Sequence, residues 1–341
     1  MTQMIESLIE EAGNQLFRYP ETTKKEDAKY VLKKVLRPAS APRRDSFFWP
    51  HALLTQALEA AGDTATLKKF YEGWLNKGLP VYQPDTVMNG YSLLYHYEQS
   101  QDANMLEAGK ALFNYMARYK TEMGGTMPYR KHHPTHIYVD LLGMTAPFLA
   151  RYGSMTGKAE AGILAIEQMD LFLKKGMDET TGLPYHGYDT QTGEKMGIIG
   201  WGRAVGWLLL ALADSLEFLP ADKEKMKLTE DFARVVETVM QWQREDGYFS
   251  WQLQAVEGPR DTSATAMIAY AVQKGSNIGA LVEDYDGRLE KMEKAIVSSV
   301  REGKIYDCSG ECEGFSQYPQ VYGAYPWSLG PGLRFLLERQ K

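Results

Sequence analysis

A chain of 341 residues, 44% hydrophobic and 24% charged, has the composition of a globular protein large enough to bury a sizeable core. Its formal net charge of −6 argues against a general nucleic-acid binder and against a polybasic membrane-surface protein. Two cysteines build no disulfide framework, and no segment has the uninterrupted apolar length of a membrane span.

The first segment, "MIESLIEEAGNQLF", is acidic where a secretory signal is basic, and its apolar residues are periodic. It reads as an amphipathic helix of a soluble, cytoplasmic protein. From there the chain repeats a unit of shape. A helical segment ends in a Gly turn, a short Tyr- or Pro-containing stretch follows, and a polar, aromatic loop enters a more apolar helix. The turns are "KGLPVY", "GGTMPY", "TGLPYHGY", "DGYFSW" and "EGKIYD", marked by Gly78, Gly125, Gly182, Gly247 and Gly303. A period of about fifty residues suits a helical hairpin plus a loop.

In chain order the second helices are "WPHALLTQALEAAG", "DTVMNGYSLLYHYEQ", "HIYVDLLGMTAPFLARYG", "WGRAVGWLLLALADSLEFL", "DTSATAMIAYAVQKG" and "VYGAYPWSLGPGLRFLLE". They are apolar nearly all round, which marks buried helices. The helices before them, such as "ATLKKFYEGWLNK" and "EDFARVVETVMQWQ", are amphipathic and keep one face wet. Six inner and six outer helices describe an all-α (α/α)6 barrel, with short β-hairpins in the mouth loops. Its structural rival is an open solenoid of helical pairs. No Pro-rich linker divides the chain, so residues 1–341 read as one domain.

In such a barrel the loops entering the inner helices gather at one mouth. They hold Asp85, His132, His133, His136, Asp140, His186, Trp201, Arg203, Trp207 and Asp261, a concentration that suggests one pocket. Asp85 and Asp261 each precede an apolar run, where an N-capping role competes with a functional one. Asp140 lies inside the periodicity of Ile137, Leu141 and Met144, all on one expected helix face. A buried carboxylate there needs a partner such as Arg203, or a raised pKa that suits it to general acid catalysis. In "HHPTH" the intervening Pro134 and the absence of further zinc-spaced ligands favour substrate-binding or loop-bracing histidines over a metal site. Cys308 and Cys312 are too isolated to form a four-ligand site. "WGRAVGW" sets Trp201, Arg203 and Trp207 at a helix start, where indoles flank a sugar or fill the core and a guanidinium suits a carboxylate. No nucleophile elbow, phosphate-binding loop or dinucleotide fingerprint is present.

With "IYVDLLGM", "PYHGYD", "WGRAVGW", "DTSATAM" and the final "YGAYPWSLGPG", nearly the whole chain resembles the unsaturated rhamnogalacturonyl hydrolases, glycoside hydrolase family 105. It is more distantly similar to the unsaturated glucuronyl hydrolases of family 88. The resemblance implies an (α/α)6 barrel, no metal or organic cofactor, and substrates with a 4,5-unsaturated uronic acid at the non-reducing end. It implies Asp140 as general acid and base, assisted by Asp85. It carries His186, Trp201, Arg203 and Trp207 over as substrate-binding residues, and His132, His133, Tyr138 and Met144 are added to them as candidates by their place around Asp140. Tyr138 replaces the family's tryptophan, and Ala204 and Val205 replace a Gly-Asn pair, changes that bear on the sugar beyond the cleaved bond. The rival readings are an inverting glycosidase, a sugar 2-epimerase and a non-enzymatic helical-repeat scaffold.

Overall fold

The computed structural model describes residues 1–20, 24–36 and 47–341. Its inner helices are α3 (Trp49–Ala60), α5 (Gly90–Ser100), α7 (Val139–Thr156), α9 (Gly202–Leu216), α11 (Thr262–Asn277) and α13 (Pro326–Glu338). Its outer helices are α1 (Thr2–Arg18), α4 (Thr64–Asn76), α6 (Ala103–Glu122), α8 (Ala159–Lys175), α10 (Lys223–Met240) and α12 (Asp286–Ser298). Each inner helix packs on the next, and α13 returns to α3, so the ring closes. This is the (α/α)6 barrel, and closure rules out the open solenoid.

The inner ring follows from its composition. Every residue of α9 is buried, and the leucines at 208, 209, 210 and 212 each contribute about 1.5–3 kcal/mol by leaving water. The outer helices bury one stripe only, as in α4, where Leu67, Phe70, Tyr71 and Trp74 are covered. Aspartates start several helices. Asp63, Asp102, Asp222 and Asp261 accept a backbone N–H in the first turn of α4, α6, α10 and α11. The five marker glycines all have positive φ, between 71° and 93°, which side chains disfavour. Gly78 and Gly125 lie just past the ends of α4 and α6, whereas Gly182 and Gly247 turn loops beyond the helices and Gly303 turns the hairpin Val300–Ile305.

The structure departs from the sequence reading in three places. A helix outside the six-plus-six plan, α2 (Lys24–Leu36), lies on the surface. It ends in no Gly turn, so the repeat pattern does not contain it. The "DTVMNGYSLLYHYEQ" segment divides into a 3-10 turn, Pro84–Asn89, and then α5. Residues His136–Tyr138 form a strand, β1, and α7 starts only at Val139. Ile137 therefore belongs to a strand, and the helix face of Asp140 begins later than its spacing suggests.

Short antiparallel strands line the mouth. β1 pairs with β2 (Gly187–Asp189), which pairs with β3 (Lys195–Met196). Two hairpins follow, β4 (Val300–Arg301) with β5 (Lys304–Ile305), and β6 (Cys308–Ser309) with β7 (Tyr322–Gly323). Toward the C-terminal ends of the inner helices, Arg334 donates to both oxygens of Asp214 at 3.0 Å and to Gln56 at 3.1 Å, and also meets the Tyr270 hydroxyl. That buried network ties α3, α9, α11 and α13 together at the end away from the mouth. No helix among the described residues is long and apolar enough to cross a membrane.

Candidate active site

The register of β1 on β2 sets Tyr138 opposite Gly187 and lets Val139 N–H donate to His186 O at 3.0 Å. This brings the His186 ring to the first turn of α7, where its Nε2 lies 2.8 Å from Asp140 Oδ2. Asp140 and His186 are both buried, 8% and 1% exposed. His186 Nδ1 in turn lies 2.7 Å from the Tyr318 hydroxyl. With the tyrosine O–H donated to Nδ1, Nε2–H is directed at Oδ2 of Asp140, so the three side chains form one hydrogen-bonded chain that leaves Oδ1 as the position for a proton. Two glycines make it fit. A Cβ at Gly187 would stand 2.1 Å from Ile137 O, and one at Gly197 would stand 2.6 Å from the Tyr318 hydroxyl.

Asp140 and His186 line a cavity of about 410 Å³ together with Tyr129, Arg130, Tyr138, Glu311 and Cys312, with His132 and His133 also on its wall. An adjoining cavity of about 600 Å³ is lined by Trp49, Tyr82, Gln83, Asp85, Arg130 and Glu311. Arg130 and Glu311 belong to both walls, so the two volumes are halves of one cleft. Tyr138 stacks on Phe315 of the β6–β7 loop at a centroid distance of 3.9 Å and 6° between planes. That contact holds the loop against the β1–β2 wall.

Asp85 is not a helix cap. Its Oδ2 accepts from Tyr129 Oη at 3.1 Å and stands 3.7 Å from Arg130 Nη1. Burial pushes its pKa up, with Arg130 and Tyr129 opposing that shift. Glu311 is also pushed up by burial, against the pull of Arg203 and Arg130. The Cys312 thiol is raised to about 12 by burial, which leaves it a poor nucleophile.

The other residues singled out from sequence fall into three groups. Asp261 is the N-cap of α11, accepting from Ser263 N at 2.9 Å, and its Oδ2 receives the Ser309 hydroxyl. Arg203 does not pair with Asp140. Its guanidinium donates to Ser263 Oγ, Ser309 O and Oγ, and Gly310 O, between 2.7 and 3.2 Å. Met144, Trp201 and Trp207 have no more than 2% exposure and line neither half of the cleft. Trp207 packs edge-on to Trp49 at 5.7 Å, and Trp201 lies 4.6 Å from the His186 ring. His132 and His133 are exposed at the rim, and His133 stacks on His136, whose Nε2 is 3.5 Å from Asp189. Among the described residues no group of three or more His, Cys, Asp or Glu is placed to hold a metal ion.

Sequence reasoning did not select Tyr129, Arg130, Glu311, Phe315 or Tyr318. Tyr129 closes the "GGTMPY" turn and Arg130 directly follows it, and the other three precede the last inner helix. Their place in the repeat was the available signal.

The arrangement offers two buried carboxyl groups in one cleft, one ordered by an imidazole and one held toward its protonated form. It can deliver and recover a proton at a bound sugar. The comparisons fit a sugar-cleaving site. The fold matches the crystal structure of a possible member of the GH105 family from Salmonella enterica serovar Paratyphi A, with a TM-score of 0.83, 20% identity and coverage of 98% of this chain and 93% of that one. It also matches the unsaturated glucuronyl hydrolase, responsible for the degradation of glycosaminoglycan, from Bacillus sp. GL1, with a TM-score of 0.70, 17% identity and coverage of 100% and 97%. A 24.9 kDa protein in the picA locus of Rhizobium radiobacter is 34% identical over 148 residues, spanning 40% of this chain and 63% of that relative, somewhat under two thirds of its length. The sequence model of Glycosyl Hydrolase Family 88 matches residues 25–341. With a match of that extent and a closed barrel carrying paired carboxyl groups at its mouth, the chain belongs to Glycosyl Hydrolase Family 88.

Proposed function

We propose that this glycoside hydrolase removes a 4,5-unsaturated uronic acid from the non-reducing end of lyase-generated oligosaccharides, with unsaturated galacturonyl-rhamnose from pectic rhamnogalacturonan as the preferred substrate. The observation that carries the reading is the Asp140–His186–Tyr318 chain opening into a sugar-sized cleft beside Asp85. Neighbours of the same fold described as unsaturated glucuronyl hydrolases support it. Residues 1–341 act as one catalytic domain on a small oligosaccharide in the cytoplasm.

The substrate's C4=C5 bond is an enol ether. Asp140, as the acid, donates its proton to C4, and positive charge at C5 is shared by the ring oxygen. Water adds to C5 and gives its proton to the Asp140 carboxylate. The resulting hemiketal opens and the product rearranges to release the aglycone. One carboxyl thus serves as acid and base, unlike the two-carboxylate scheme at the anomeric carbon. His186 orients Asp140, and Asp85 holds the water. Tyr138 faces the sugar and His132 and His133 flank its leaving side. Met144, Trp201, Arg203 and Trp207 shape the pocket from behind its wall.

The test is incubation with unsaturated disaccharides from rhamnogalacturonan, glucuronan and glycosaminoglycan, following the ultraviolet absorbance of the conjugated double bond. Loss of absorbance with the rhamnogalacturonan product is expected to be fastest. An inverting glycosidase would instead cleave saturated oligosaccharides, and an epimerase would change a free sugar without releasing an aglycone.

A further inference from the structure

A uronic acid brings a carboxylate into a cleft already lined by the carboxyl groups of Asp85, Asp140, Glu311 and Glu313. Binding therefore needs a cation, and the pocket wall narrows the choice. Arg203 is 2% exposed and its guanidinium is occupied by two serine hydroxyls and two backbone carbonyls. It lies between the rings of Trp201 and Trp327, at 4.7 and 5.7 Å, behind the Ser309–Gly310 backbone that accepts from it. Lys131, next along the chain, is paired with Glu122 at 2.6 Å on the outer surface. Among the described residues lining the two halves of the cleft, Arg130 is the one lysine or arginine.

Arg130 is also built to be available. Its guanidinium lies over the Tyr129 ring at 3.7 Å, which fixes its plane without using a donor. Nη1 donates to Tyr129 O at 3.1 Å, and the 3.7 Å to Asp85 Oδ2 is longer than a hydrogen bond. One N–H of five is thus spent on the backbone. Its side chain remains 32% exposed, against 8% for Asp85 beside it. A planar fork with open donors at the junction of the two half-cavities matches a planar carboxylate. Burial pushes the pKa of Asp85 up, which weakens its claim on the Arg130 charge.

We infer that Arg130, and not Arg203, receives the carboxylate of the substrate's uronic acid and so selects the acid over its neutral ester. This rests on the unsaturated-uronide reading above. Arg203 then serves to hold the Ser309–Gly310 backbone at the start of the loop carrying Glu311, Phe315 and Tyr318.

The experiment pairs a change in the protein with a change in the ligand. The probes are unsaturated galacturonyl-rhamnose and its methyl ester, which keeps the enol ether and loses the charge. The wild type is expected to prefer the acid. Arg130→Gln is expected to lose about 100-fold in kcat/KM on the acid, chiefly through KM, because a desolvated charge loses its partner. On the ester the same variant should stay within about threefold of wild type. Arg130→Lys keeps the charge and the stem over Tyr129, and should lose about tenfold on the acid and little on the ester. Equal losses on both probes would overturn the inference, since the residue would then act through Asp85 or the fold. Undiminished preference for the acid in Arg130→Gln would also overturn it. If the wild type bleaches neither probe, the unsaturated-uronide reading fails and the inference falls with it.

Discussion

His186 Nε2 lies 2.8 Å from Asp140 Oδ2, and the pair is set by strand register, because β2 pairing with β1 delivers the histidine to the first turn of α7. From that position the imidazole holds one carboxyl oxygen and fixes the orientation of the other. His186→Ala is expected to lower kcat by about 10²–10³-fold with the fold retained. Tyr318→Phe leaves the Asp140–His186 contact in place and removes the outer hydrogen bond, worth about 1 kcal/mol, and should cost less than about tenfold. Steady-state rates of the two variants check the order. Equal rates in His186→Ala and wild type would remove the histidine from the mechanism.

Asp85 makes the stability of the protein depend on pH with a definite sign. Burial raises its folded pKa above the ordinary 3.8, so the folded state binds the proton more tightly than the unfolded chain does. The associated stabilisation is complete below 3.8 and is lost as pH rises through the folded value. Asp85→Asn has no such loss and can still accept from Tyr129. Its melting temperature relative to wild type should therefore climb as the pH rises above 3.8 and level off once Asp85 is ionised in the folded protein. Thermal melts of both proteins across that range provide the check.

The Tyr138–Phe315 stack fastens the β6–β7 loop over the cleft. Phe315→Ala removes an aromatic pair worth about 0.5–1.5 kcal/mol beyond its buried area. KM is expected to rise by about threefold to tenfold with kcat nearly unchanged, as the wall bearing Glu311 and Tyr318 loosens. Initial-rate kinetics over a range of substrate concentrations separate the two parameters.

At the other end of the barrel, Arg334 and Asp214 are 4% and 1% exposed. Arg334→Met leaves a buried carboxylate without its cation, and a loss of about 3–5 kcal/mol is expected in denaturant unfolding. The double variant Arg334→Met with Asp214→Leu should be less destabilised than the single one, because no orphan charge remains.

The barrel was legible because twelve of its helices obey one rule, apolar all round inside and striped outside, with a glycine of positive φ in the connection after five of the outer helices. α2 was not, because it stands outside that rule. In the cleft, Asp140 stands out as a carboxylate inside an apolar periodicity and Asp85 as one just before an apolar run, and both lie on its wall. The pairing of Asp140 with His186 was hidden by 46 positions of sequence separation, and only the β1–β2 register reveals it. Arg203 looked like the natural partner for Asp140 by charge alone. It is instead consumed by the Ser309–Gly310 backbone and hydroxyls, contacts 106 and 107 positions away that no local spacing announces. Trp207 has the aromatic face of a sugar platform, yet its place deep in helix packing, like that of Met144, keeps it out of the cleft.

The most direct measurement is turnover of an unsaturated uronyl disaccharide by Asp140→Asn, followed by the absorbance of its double bond. Asparagine keeps the shape and a hydrogen bond to His186 but has no proton to give to carbon. A folded variant with wild-type melting behaviour and activity reduced by about 10³-fold or more is the expected result. Near-normal turnover by that folded variant would contradict the assignment of Asp140 as the acid and, with it, the account of the site.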